Sequence, residues 1–142
     1  MPGTPEPIRT LMAFDFSERR VGIAVGQNLT ATATPVGVVR ALAKGPDWQR
    51  IGQYIREWQP NLLIVGLPLN MDGTEQTTTE AARRFGRSLS GRFNLPVEWV
   101  DERLSTREAN ERGRFDERGR DEDNDDLAAQ VILEGWFEQQ TG

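Results

Sequence analysis

Asp15 lies in Leu11-Met-Ala-Phe-Asp-Phe-Ser17, a short apolar run that reads as a buried strand. An ionised carboxylate in such a run is costly unless a cation or a set of donors meets it. A domain of this size has only about 5–15 kcal/mol of stability in total. Two further acids stand at informative places. Glu102 follows the run Val97-Glu-Trp-Val100, within Asp101-Glu-Arg103, and Asp125 opens the helical stretch Asp125-Asp-Leu-Ala-Ala129. There Asp125, Ala128 or Ala129, Ile132 and Trp136 share one stripe, so Asp125 falls on the sheet-facing side. Three carboxylates gathered from separate elements repel, and a divalent cation turns that repulsion into attraction. Two oxygen-ligated ions about 4 Å apart can activate water and stabilise the leaving oxygen of a phosphodiester. That is the chemistry this set suits.

The chain has neither cysteine nor histidine. Ser-His-Asp and Cys-His catalysis, disulfides, and thiolate or imidazole zinc sites are therefore excluded. A metal site here must be built from oxygen, which favours magnesium or manganese. The net charge of −5 argues weakly against nucleic acid. The distribution argues the other way. Of 17 basic residues, 16 are arginine, and they cluster at Arg19-Arg20, at Arg83, Arg84, Arg87 and Arg92, and from Arg103 to Arg120.

Spacing alone leaves other roles open. Asp15 also reads as a structural acid paired with Arg19 or Arg20. Glu102 also reads as a surface residue of a strand-to-helix turn, with Asp101 as its rival. Asp125 reads more readily as a first-turn acid stabilised by the helix dipole, with Asp121, Asp123 and above all Asp126 as rivals. The loop Gly66-Leu-Pro-Leu-Asn-Met-Asp-Gly73 lacks the Walker lysine and the GxGxxG spacing. It reads equally as a plain connection or as a loop whose Asn70 and backbone amides touch phosphate.

The elements that must position these residues follow from periodicity. Residues 1–9 read as a flexible, proline-rich tail, and residues 10–142 as a single domain. Thr10 to Phe16, Val21 to Val25 and Ala33 to Val39 read as three strands, the first two close enough for a hairpin. Trp48, Ile51, Ile55 and Trp58 repeat at helical spacing, so a helix is expected from Asp47 to Gln59. A strand Leu62 to Val65 follows, then a helix from Thr77 to Ser90, with Ala81, Phe85 and Leu89 on one face and Gly91 as its stop. Val97 to Val100 is the fifth strand. Ser105-Thr-Arg-Glu108 is a capping box that opens a helix, residues 112–124 read as a mobile loop, and a last helix runs from Asp125 to Glu138. This order predicts an α/β fold with a mixed sheet, the first, fourth and fifth strands being parallel neighbours. Such sheets carry their sites at the strand C-terminal ends. No stretch approaches the roughly 18 apolar residues of a membrane span, and a cytoplasmic location is expected. Trp136 and Phe137, read as exposed aromatics, serve a homodimer contact as readily as the core.

Four blocks resemble the YqgF/RuvX family of RNase H-like nucleases. They are Ala13-Phe-Asp-Phe-Ser-Glu-Arg-Arg-Val-Gly-Ile-Ala-Val25, Ile64-Val-Gly-Leu-Pro-Leu-Asn-Met-Asp-Gly73, Val100-Asp-Glu-Arg-Leu-Ser-Thr106 and Asp125-Asp-Leu-Ala-Ala-Gln-Val-Ile-Leu133. They occur in the family's order, and the second and third are highly specific. The resemblance implies an RNase H-like five-stranded sheet with helices on both faces. It implies a divalent-metal nuclease whose acids map onto Asp15, Glu102 and Asp125, with Mg2+ or Mn2+ as cofactor. Asp125 is chosen over Asp126 because the alanine pair falls three and four residues later. The resemblance points to maturation of the 5′ end of 16S ribosomal RNA. Arg20, Arg103 and Asn70 would then position a nucleic-acid backbone, RNA first, with single-stranded or branched DNA as alternatives. A Holliday-junction resolvase shares the same site. A non-catalytic RNA-binding factor in ribosome assembly or transcription is the reading from another class. Ser17 stands where the family usually has glycine, which puts the turn beside the acids in question.

Overall fold

The chain is described by a computed structural model over residues 9–102 and 125–141, the side chains of residues 125 and 141 excepted. The expectations for the tail, for Arg103, Asp121 and Asp123, for the capping box at Ser105 and for the loop 112–124 lie outside the described residues. Strands β1 (Thr10–Phe16), β2 (Arg20–Gln27) and β3 (Thr32–Arg40) come first. Helix α1 (Trp48–Trp58), β4 (Leu62–Leu67), α2 (Thr77–Phe93), β5 (Val97–Asp101) and α3 (Asp125–Thr141) follow. The sheet order is β3-β2-β1-β4-β5. Antiparallel pairing joins β1 to β2 and β2 to β3, and parallel pairing joins β1 to β4 and β4 to β5. The expected parallel trio therefore forms, and its three C-terminal ends lie side by side.

Alternation along the central strands sorts the core into two layers. Leu11 and Ala13 of β1 and Leu62 and Ile64 of β4 pack with Ile132, Leu133, Trp136 and Phe137 of α3. Met12 and Phe14, with Leu63 and Val65, pack with Ile51 and Ile55 of α1 and Ala82, Phe85 and Leu89 of α2. Strands buried on both faces read as unbroken apolar runs, as these do. Full burial of each large side chain contributes about 1.5–3 kcal/mol.

Local chemistry fixes the helix ends. The Asp47 carboxylate accepts from the Arg50 N–H at 3.1 Å, and Gln59 closes α1 in the left-handed region at φ 47°. Helix α2 does not stop at Ser90. It runs to Phe93 and ends at Asn94 with φ 56°. Phe93 packs against Trp48 with ring centroids 6.4 Å apart, and its edge lies over Gly52. That tertiary contact holds the extra turn beyond Gly91. Ala82, rather than Ala81, takes the core position beside Phe85 and Leu89. Strand β4 also continues past Val65 through Gly66 and Leu67. Trp136 and Phe137 are buried at 8% exposure each, which corrects their reading as exposed aromatics. The Trp136 indole donates to Glu98 Oε1 at 2.9 Å. Among the described residues, no helix is long and apolar enough to cross a membrane.

Candidate functional site

The two-residue alternation of a strand decides where Asp15 points. Leu11 and Ala13 face α3, so Asp15 faces α3 as well, at the C-terminal end of β1. On β5, Val100 packs in the α3 layer, which places Glu102 on the same face one step past the strand. By the same alternation Asp101 falls on the opposite face. Between β1 and β5 lies β4, in register: Phe14 pairs with Val65, and Gly66 pairs with Val100. Gly66 is thus the β4 residue between the two acids, on their face of the sheet.

Gly66 has no side chain for a packing reason. A Cβ there would stand 2.7 Å from Glu102 Cγ, 2.9 Å from Glu102 Oε1 and 2.6 Å from Ile132 Cδ1. Glu102 therefore occupies the volume that any other residue would fill, and reaches across β4 to Asp15. The two carboxyl groups lie within hydrogen-bonding reach of each other. Burial pushes Asp15 well above the usual carboxylate range, and the Glu102 charge and hydrogen bond push it further. Burial also raises Glu102. The bond from Asp15 pulls it back, and the nearby Asp101 charge raises it again.

Asp125 is the first residue of α3, and its side chain lies outside the described residues. Ile132 lies seven residues later, two helical turns on, and so on the same face of the helix. Ile132 meets Gly66 at the point that Glu102 also occupies. The Ile132 face of α3 therefore packs on the carboxylate side of the sheet. Asp126 is half-buried.

The turn after β1 answers the question raised by Ser17. Its hydroxyl donates to the Arg20 carbonyl at 2.9 Å and accepts from the Arg20 N–H at 3.2 Å. The turn closes without positive φ, so serine serves where glycine was expected. Arg20, half-buried, opens β2 beside this turn. Asn70 is exposed and donates to Thr74 Oγ1 at 2.9 Å, and Thr74 in turn donates to Asp72 at 2.6 Å. This loop is pinned to α2 by Thr79, fully buried, whose hydroxyl donates to the Pro68 carbonyl and accepts from the Gln76 N–H at 3.0 Å. The structure thus brings Asp15 and Glu102 together, with Arg20 on the neighbouring turn.

Two residues escaped the sequence reading. Gly66 carried a signal, because an isolated glycine in an apolar strand often marks close approach of another group. Phe16 was absorbed into the strand, although it follows Asp15 and lines two cavities at the sheet edge.

Comparison with known proteins gives the family and the fold. The family model described as "RuvX: Holliday junction resolvase" matches residues 9–139. A Nitrosococcus oceani protein named "Putative pre-16S rRNA nuclease" is 53% identical, covering 97% of this chain and 93% of that protein. A Serratia proteamaculans protein of the same name is 50% identical, covering 94% and 98%. Among solved structures, T. thermophilus RuvC in complex with Holliday junction substrate superposes with a TM-score of 0.57 at 18% identity, covering 94% of this chain and 96% of that one. The Fowlpox virus resolvase in complex with Holliday junction DNA gives 0.55 at 11% identity, covering 94% and 99%. At those identities the structures speak for the fold, which is RNase H-like. With half of its residues shared along nearly its whole length, and with the family model matching residues 9–139, the chain belongs to the RuvX family.

Proposed function

We propose that the chain is a divalent-metal-dependent nuclease that hydrolyses phosphodiester bonds, acting in the cytoplasm on the 5′ end of pre-16S ribosomal RNA. The observation that carries this reading is the forced meeting of Asp15 and Glu102 over Gly66. Two carboxyls held together at a strand end are unfavourable by themselves, and no packing need explains them. They form an all-oxygen donor set, which suits Mg2+ or Mn2+. Asp125 is the third ligand in this reading. When bound there, the ion would supply a water of lowered pKa and charge stabilisation for the leaving oxygen.

The chain's own residues do the rest. Asp15 and Glu102 would hold the cation at the sheet edge as carboxylates. In this reading Arg20 and Arg103 would hold non-bridging phosphate oxygens, which arginine meets with paired hydrogen bonds. Asn70, exposed on the loop after β4, is the further phosphate contact in this reading. The names of the relatives favour ribosomal RNA. The family description and the folds of the solved neighbours favour a four-way DNA junction as the second reading, with the same site.

The test is cleavage of labelled pre-16S RNA and of a four-way junction by purified protein with manganese. The expected result is shortening of the RNA 5′ end, lost in Asp15→Asn and in Glu102→Gln. Cleavage that survives in Asp15→Asn rejects the mechanism. Paired symmetric nicks on the junction, with intact RNA, select the second reading.

A further inference from the structure

We propose that the end of an aromatic stack at Phe16 is a subsite for one unpaired nucleobase of the substrate strand, which deepens the nuclease reading and rests on it. Phe16 stacks on Phe85 with centroids 4.7 Å apart and planes at 23°. Phe85 stacks on Trp48 at 5.4 Å and 17°, and the Arg92 guanidinium lies 4.5 Å from the Trp48 ring centroid. The four groups form a connected column. Its inner members are engaged by their neighbours, and Phe16 is the terminal ring.

Two cavities meet at that ring. One, of about 390 Å³, is walled by Phe16, Trp48, Phe85 and Arg84. The other, of about 420 Å³, is walled by Phe16, Arg19, Pro68, Thr77, Thr78 and Glu102. Phe85 and Trp48 take no part in the second cavity, so Phe16 is the aromatic surface it offers. Ala81 and Glu18 belong to both. Each cavity is of a size that takes a small organic ligand.

The occupant follows from chemistry and place. Asp15 and Phe16 are adjacent in β1 and project to opposite faces, while the second cavity reaches round the sheet edge to Glu102. A strand whose phosphate lies at the carboxylates therefore carries its neighbouring base over the edge onto Phe16. Arg19 lines this route and attracts the backbone, while Arg84 lines the first cavity. Glu18, common to both cavities, repels phosphate and accepts from exocyclic amines, which favours a base at the shared wall. A paired base cannot enter, because its faces are already stacked within the duplex. The subsite selects single-stranded or frayed substrate, the state of an unpaired RNA 5′ extension.

The experiment uses the full chain in calcium and a short single-stranded RNA with 2-aminopurine placed at successive positions. The expected result is quenching at one position. Phe16→Leu abolishes that quench and weakens single-strand binding roughly 5- to 150-fold, the range for loss of one base–aromatic stack. Phe16→Tyr retains both, and duplex binding is unchanged in either variant. An abasic residue at the quenched position weakens wild-type binding by the same factor, with the protein untouched. Equal binding of the abasic strand, or a quench that persists in Phe16→Leu, overturns the inference. If the wild type cuts RNA with manganese yet quenches at no position, the subsite alone falls. If it neither binds nor cuts nucleic acid, the proposed function falls with it.

Discussion

Glu102 lies where the side chain of residue 66 would be: a Cβ on Gly66 would stand 2.7 Å from Glu102 Cγ. The approach of Glu102 to Asp15 is thus set by an absence on the strand between them. Gly66→Ala should move Glu102 off its position and reduce kcat at least roughly 100-fold, the scale of a 1 Å misplacement. The same change should cost about 1–3 kcal/mol of stability through overpacking against Ile132. Adding Ile132→Val should recover part of the stability and none of the activity. Denaturant melts and single-turnover cleavage of the two variants separate these effects. Full activity in Gly66→Ala would contradict the positioning role.

Asp15 and Glu102 both hold their protons more tightly in the folded chain than in the unfolded one. The folded state then binds more protons, so metal-free stability falls as pH rises. The contribution is fully present below the usual carboxylate range, about pH 4, and is lost as pH climbs through the raised folded values. Asp15→Asn keeps a donor to Glu102 and removes one charge. Without metal it should match the wild type near pH 4 and melt at a higher temperature at pH 7–8. Melting curves across that range check the sign. A variant less stable than wild type at pH 8 would count against a strained acid pair.

Manganese should raise the melting temperature of the wild type, by roughly 2.7 kcal/mol of added stability at 100 times the dissociation constant. The gain should shrink toward pH 5, because the carboxyl protons must leave before the cation enters. It should vanish in Asp15→Asn and in Glu102→Gln. Thermal shift with and without chelator measures this, and an undiminished shift in both variants would place the ion elsewhere.

Thr79 anchors the 66–76 loop through bonds to Pro68 and Gln76 in a fully buried position. Thr79→Val keeps the shape and leaves the Pro68 carbonyl and the Gln76 N–H without their partner. The expected cost is about 1–3 kcal/mol. Amide exchange should quicken at Asn70 and Gly73, whose N–H groups close the loop, while β1 stays protected. Unchanged exchange in the loop would show that the anchor is dispensable.

The amino-acid order by itself determined the strand and helix sequence, because apolar spacing of two or 3.6 residues is local information. It placed β1 at Thr10–Phe16, as observed, and a helix from Asp47 to Gln59, where the structure has Trp48–Trp58 with those two residues as its caps. It marked Asp15 as an acid out of place in an apolar run. Beside the family resemblance, it also singled out Glu102 and Asp125. It misjudged what depends on distant partners. Helix α2 outlasts Gly91 because Phe93 finds Trp48, and Trp136 is buried because Glu98 satisfies its indole. The tertiary structure alone decided that Asp15 and Glu102 meet over Gly66, and that Phe16 ends an aromatic column. Both depend on parallel register between strands joined through helices, and no spacing along the chain encodes which residue of β4 lies between residues 15 and 102.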